Sequence, residues 1–166
     1  MRFVMRVRYR VWQLWRALTG RLDHAEYATA QRLLTPAEYA LFLQMPSYDQ
    51  RHSMDVVHTL GQLGARDSEL LAMALLHDIG KVGDDGRSLS LWWYGWWVLL
   101  RRVTSLRMWA LSRFEPLRRC ASHEQRSAAV AAAAGARAEV VALLHQVAIG
   151  GEDVRLRVFA EADDQC

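Results

Sequence analysis

Lysine is nearly missing from this chain. Of the 21 basic residues among 166, 20 are arginine, and the one lysine is Lys81, in the run His77-Asp78-Ile79-Gly80-Lys81. Arginine serves elsewhere for generic positive charge, so a compact, flexible ammonium at this one place points to a local demand that a planar guanidinium would not meet. Cysteine is scarce too. Cys120 and Cys166 stand in neither a metal-binding nor a redox spacing, which excludes a disulfide framework and fits a reducing compartment. The apolar positions near the N-terminus are broken up by arginine, so no signal peptide is expected and the cytoplasm is the expected location. Strand-like alternation, internal repeats and linkers are absent. The net charge is only +3, which excludes a strongly cationic nucleic-acid binder, and no specific nucleic-acid binding is expected.

What is present is a chain of ordinary globular composition, 52% hydrophobic and 23% charged. Its length suits one domain able to bury a continuous core without staples. The apolar positions recur at helical spacing almost throughout, and the expected class is all-α, a single-domain helical bundle. Val4, Val7, Val11, Leu14, Trp15 and Leu18 make a helical stripe over 3–20. A short helix is expected over 24–34. Thr35-Pro36, with Glu38 close behind, opens another that stops at Pro46. Asp49 is expected to cap the next helix, which Gly64 ends. Asp67 caps a very apolar helix over 69–76, and Gly80, Gly83 and Gly86 then make a loop. A long aromatic helix over 89–112 is expected to end before Pro116. Ser122 is read as the cap of an alanine-rich, tightly packed helix closed by Gly135. Helices over 137–147 and 152–164 complete the set. Residues 1–47 are expected to pack on, or belong to, the core formed by 48–166.

The chemistry concentrates at His77-Asp78. The doublet ends the apolar segment Leu70-Leu71-Ala72-Met73-Ala74-Leu75-Leu76 and precedes Gly80. A buried carboxylate costs several kcal/mol unless it is paired or bound to metal. Adjacent side chains on a regular helix point about 100° apart, so a His-Asp pair converges best where the helix is ending. A plain helix C-terminus, with His77 favouring the dipole, is the alternative.

Ala74-Leu75-Leu76-His77-Asp78-Ile79-Gly80-Lys81 resembles the signature of the HD superfamily of metal-dependent phosphohydrolases, in its HDIG-type variant. The resemblance covers roughly residues 48–164. That family orders its metal ligands as a His, the His-Asp doublet and a distant Asp, all on helices. The resemblance therefore implies His52, His77, Asp78 and Asp163 as ligands, with Asp164 the rival of Asp163. It also implies that His123 and His145 meet the substrate or a second ion. A His-His pair common in two-metal members is here His145-Gln146, and the Gly-Tyr-Pro element of the cyclic-dinucleotide branch is absent, which disfavours cyclic-di-GMP hydrolysis.

The implied activity is hydrolysis of a phosphoester, such as a nucleotide, by a metal-activated water. Mixed His and carboxylate ligation suits Mn, Fe, Ni, Co or Zn better than Ca, with Mg also admitted, as one ion or two. Asp78 and Lys81 would be catalytic, and Lys81 and Arg51 would offset the phosphate charge. His24 and His58 read as structural or exposed. The competing class is a metal-binding HD module with weak or no turnover and a regulatory role. A weaker third is a peripheral membrane protein with a structural metal. The uncharged, Trp-rich run 89–100 and its arginine flanks prompt that third reading. The same segment also reads as core, as a homodimer face or as a wall of the site, and it is too short to span a bilayer.

Overall fold

The computed structural model describes residues 20–83 and 110–166. The helix expected over 3–20, Gly86 and the aromatic segment up to residue 109 lie outside the described residues. Within them the protein is all-α, as the apolar spacing predicts. The order is α1 (His24–Leu33), α2 (Pro36–Gln44), α3 (Ser47–Gln62), α4 (Ser68–Leu76), a 3-10 turn (Ile79–Lys81), α5 (Glu115–Ala133), α6 (Ala138–Ile149) and α7 (Val154–Gln165).

Local signals start most of these helices. Reciprocal capping boxes open α1, through Asp23 and Glu26, and α2, through Thr35 and Glu38, with Pro36 in the first turn. The Asp67 carboxylate accepts the Leu70 N–H and opens α4. Asp153 does the same for α7 through the Arg155 N–H, and α6 closes on Gly150, whose φ of 67° is left-handed.

Two expected caps are corrected. Helix α3 begins at Ser47 behind Pro46, so Asp49 falls inside its first turn and makes no cap; its side chain is buried. Helix α5 begins at Glu115, with Pro116 in its first turn, because proline is tolerated where the N–H has no intrahelical partner. Ser122 therefore lies inside α5, where its hydroxyl donates to the Arg118 carbonyl at 2.9 Å. Of the alanine run, Ala128 and Ala131 are buried and Ala129, Ala132, Ala133 and Ala134 are exposed, so only one face packs.

The core is organised around α4. Leu70, Ala72, Met73, Ala74, Leu75 and Leu76 are all buried, and α4 packs against α1, α2, α3, α6 and α7. Each fully buried Leu or Met there contributes ~1.5–3 kcal/mol. Leu76 is the last residue of that sheltered helix, so His77 and Asp78 emerge from the middle of the bundle.

A second anchor ties α2 to the start of α6. Glu38 has no exposed surface and accepts from the Arg137 N–H at 2.9 Å and from the Arg137 guanidinium at 2.9–3.2 Å. Arg137 also reaches the Leu33 carbonyl (2.8 Å) and Glu69 (3.3 Å). Burial alone would raise the Glu38 pKa, but the hydrogen bonds from Arg137 and Thr35 outweigh it and hold it below 4.5. A depressed folded-state pKa contributes stability above the unfolded value, and that contribution is lost as pH falls through the folded value. Glu38→Gln should therefore cost about 2 kcal/mol at pH 7, the range of a charged hydrogen bond. In urea titrations the gap to wild type should close below pH 4.5; a gap that stays constant to pH 3 would contradict this role.

No helix among the described residues is long and apolar enough to cross a membrane.

Candidate metal centre

The doublet lies where the helix gives way to a tighter turn. His77 flanks the end of α4 with φ −58° and ψ −26°, and Asp78 comes next at φ −99° and ψ 0° as the residue entering the 3-10 turn. This change of backbone lets the two side chains meet, with His77 Nε2 3.6 Å from Asp78 Oδ2. In a 3-10 turn residues i and i+3 eclipse. Lys81 therefore folds back over Asp78 and its ammonium donates to Asp78 Oδ2.

The turn is fastened to α5. Gly80 N–H donates to Ser127 Oγ at 2.9 Å, and Ser127 Oγ lies 2.6 Å from the His77 carbonyl and 3.0 Å from the His123 carbonyl. Arg126 donates to the carbonyls of Gly80 (3.1 Å) and Val82 (3.3 Å). The glycine is required by closeness: a Cβ there would stand 2.0 Å from the His123 carbonyl oxygen.

Two elements bring the remaining donors. His52 from α3 and Asp163 from α7 join His77, and one ligand atom from each lies within 4.8 Å of the others, so this cluster could hold a metal ion. His52 Nε2 is 3.0 Å from Asp163 Oδ1, His77 Nε2 is 3.6 Å from the same oxygen, and His52 Nε2 is 4.0 Å from Asp78 Oδ2. Donors bound to one ion at ~2.1 Å lie ~3.0 Å apart at right angles and ~4.2 Å apart when opposite. The separations of 3.0 and 3.6 Å from Asp163 to the two imidazoles fall within that span, and Asp78 Oδ2, which also accepts from Lys81, stands beside this group of three, 3.6 Å from His77 and 4.0 Å from His52.

The histidines are prepared for this. His77 Nδ1 is 2.8 Å from the Ala74 carbonyl and His123 Nδ1 is 2.8 Å from the Cys120 carbonyl. A carbonyl only accepts, so each Nδ1 carries the proton and, in the neutral ring, Nε2 keeps its lone pair facing the cluster. Phe159 packs against the His77 ring at a centroid distance of 5.3 Å and fixes its plane. Backbone and aromatic supports of this kind orient metal ligands.

The charges at His77, Asp78 and Lys81 sort in the same direction, and His52 runs against them. Burial lowers the pKa of His77, which favours the neutral ring a metal needs. Burial would also lower that of His52, but the hydrogen bond to Asp163 outweighs it and the pKa is raised. Asp78 is 1% exposed, and its burial would favour protonation; His77, Lys81, His52 and His123 overcome this and keep it ionised. Burial likewise works against the Lys81 charge and is outweighed by Asp78 and Asp49, which hold the ammonium protonated.

Among the residues singled out in the sequence, His52, His77, Asp78, Lys81, His123 and Asp163 come together, with His123 Nε2 3.8 Å from Asp78 Oδ1. Asp163 reaches the imidazoles, whereas Asp164 is exposed beside them. Two others are placed elsewhere. Arg51 is buried, with its guanidinium on Glu26 (2.6 Å) and Asp55 (2.8 Å), where it links α1 and α3. His145 is exposed on α6 and makes none of the cluster's contacts; its neighbour Gln146 faces an adjoining groove.

Asp49 is a site residue that sequence reasoning misses. Its Oδ1 is 3.5 Å from Lys81 Nζ, its Oδ2 has no hydrogen-bond partner, and burial pushes its pKa up to about 7. The available signal is its position three residues before His52, on the same helical face. An acid at a helix start reads first as a cap, and that masks it.

The groove, open and of about 380 Å³, begins at Asp163 and runs between the ends of α6 and α7, with Glu124, Gln146, Arg157, Phe159 and Asp164 also lining it. Comparison with protein-family models, with curated proteins and with solved structures finds no match for this chain.

Proposed function

We propose that this chain is a metal-dependent phosphohydrolase of the HD type, which hydrolyses a phosphoester, such as a nucleotide, at the cluster of His52, His77, Asp78 and Asp163. The observation that carries the reading is the convergence of His52, His77 and Asp163, contributed by three separate elements, on a single donor cluster beside a buried Asp-Lys pair. A structural role for the doublet alone would not require that convergence. A divalent ion held there supplies a coordinated water of pKa near ~7 and polarisation of a phosphoryl oxygen.

The chain's own residues do the rest. Asp78 presents one oxygen to His52 and His77 and the other to His123. Lys81 brings a fixed positive charge to the place where a phosphoryl group gains negative charge. His123 Nε2 sits at the partly exposed edge, where it can exchange a proton with substrate. Mixed imidazole and carboxylate donors favour Mn, Fe, Ni, Co or Zn, with Mg a weaker fit. One ion suits the site best, because His145 does not join His123 to complete a second set.

Metal analysis of the purified protein, with a turnover screen over mono- and dinucleotides in added Mn or Ni, tests this. One divalent ion per chain and release of phosphate are expected. Protein that holds no metal between pH 7 and 8 would end the reading. Metal without turnover of any phosphoester would instead favour a binding module.

A further inference from the structure

The groove beside the cluster carries information about the substrate. It is continuous with the proposed metal site at three points. Asp163 belongs to both, Phe159 forms part of the groove while packing on His77, and Glu124 is next to His123 in α5. A phosphoryl group placed at the cluster leaves this groove for the remainder of the molecule. Its volume of about 380 Å³ lies at the low end of small-molecule pockets, which start near ~300 Å³. Its charge leans acidic: apart from Asp163 itself, the charged residues among the described lining are Glu124, Asp164 and Arg157, two acids against one base. Gln146 adds a neutral amide that both donates and accepts.

Resting on the proposed hydrolase reading, we infer that the substrate is a small phosphomonoester whose leaving group carries no negative charge and presents hydrogen-bond donors to Glu124 and Asp164. In the reaction a water oxygen bonds to phosphorus as the ester P–O bond breaks. One water proton passes to the leaving oxygen and the other stays with the phosphate, giving an alcohol and inorganic phosphate. An alcohol bearing an amine or hydroxyl is retained by the acidic lining, and one bearing a carboxylate or further phosphates is repelled. The residues that set this choice, Glu124 and Asp164, are both exposed, so each acts through solvent-screened attraction. A net charge of one at ~4 Å in water is worth ~1 kcal/mol, about a fivefold change in affinity.

Three phosphonates test it, since their P–C bond resists hydrolysis and binding is read without turnover: 3-aminopropyl-, 3-hydroxypropyl- and 2-carboxyethylphosphonate. They differ chiefly in the charge at the far end. Calorimetric titration of the Mn-loaded protein should give the amine at least as tight as the alcohol and the carboxylate about fivefold weaker. The double variant Glu124→Gln, Asp164→Asn leaves Arg157 as the remaining charge of the lining besides Asp163 and should reverse the order, with the carboxylate tightest. Equal or tighter binding of the carboxylate by the wild type, an unchanged order in the double variant, or no binding of any probe would overturn the inference. Repeating the titration without Mn separates the two readings: Mn-independent binding counts against the metal centre, and a lost charge order counts against the groove alone.

Discussion

Gly80→Ala should destabilise the protein by about 3 kcal/mol or more and lower its metal content in parallel, the largest effect expected of any single methyl group here. The added Cβ would stand 2.0 Å from the His123 carbonyl oxygen, 2.6 Å from the Ser127 nitrogen and 2.9 Å from Arg126 Cβ. Two of the three are backbone atoms of α5, so relief requires the whole helix or the whole turn to move. Overpacking of this kind costs about 1–3 kcal/mol and occasionally more. Moving the turn would also strip Gly80 N–H of Ser127 Oγ, and an unsatisfied buried donor costs a further ~1–3 kcal/mol. Gly80 is not among the glycines with positive φ, so the penalty comes from space and not from backbone conformation. Urea denaturation with metal analysis on the same samples measures both effects. An alanine variant within 1 kcal/mol of wild type would show that the turn does not sit this closely on α5.

Asp78→Asn should leave a folded protein whose metal affinity has fallen by more than about 100-fold. Losing a group that merely orients a ligand already costs ~10–100-fold, and this change removes the charge and a lone pair from the centre of the donor set. The side chain keeps its shape, so the core end of α4 is undisturbed. The partner charge is not stranded either. Asp49 lies 3.5 Å from Lys81, and Asp78 is one of the causes that raise the Asp49 pKa. Without the Asp78 charge, Asp49 ionises more readily and takes over pairing with Lys81. Competition for a fluorescent zinc chelator, with thermal unfolding as the control, measures the loss. Asp163→Asn should fall in the same direction, and Asp164→Asn should stay at wild type. Retention of wild-type affinity in Asp78→Asn would remove the doublet from the metal site.

Much of the fold is legible in the sequence because its signals are local. Thr35, Pro36 and Glu38 specify the start of α2 within four residues, and Asp67 with the apolar body behind it specifies α4. The breakdown of the helix at His77-Asp78 is likewise visible in the nearby Gly80. Signals depending on distant partners are not legible. Arg51 and His52 are neighbours in sequence, but α1 supplies Glu26, and that draws the arginine away from the site. His145 looks like a ligand because of its sequence context, yet α6 turns Gln146 to the groove instead. Glu38 gives no hint beyond its capping box that Arg137, 99 residues on, buries it. Ser122 misleads for a different reason: serine serves both at the start of a helix and inside it, and only the fold decides which.

His52 and Asp163 lie 111 residues apart in the chain and 3.0 Å apart in space. An ion shared between them would be a clasp across most of the folded polypeptide, joining α3 near the beginning of the bundle to α7 at its end. Half of such a clasp has little grip, because in the open chain its two jaws drift independently. Occupancy would thus serve as a gauge of how much of the population is closed, and excess ion would shift that population towards closure without touching any residue of the core.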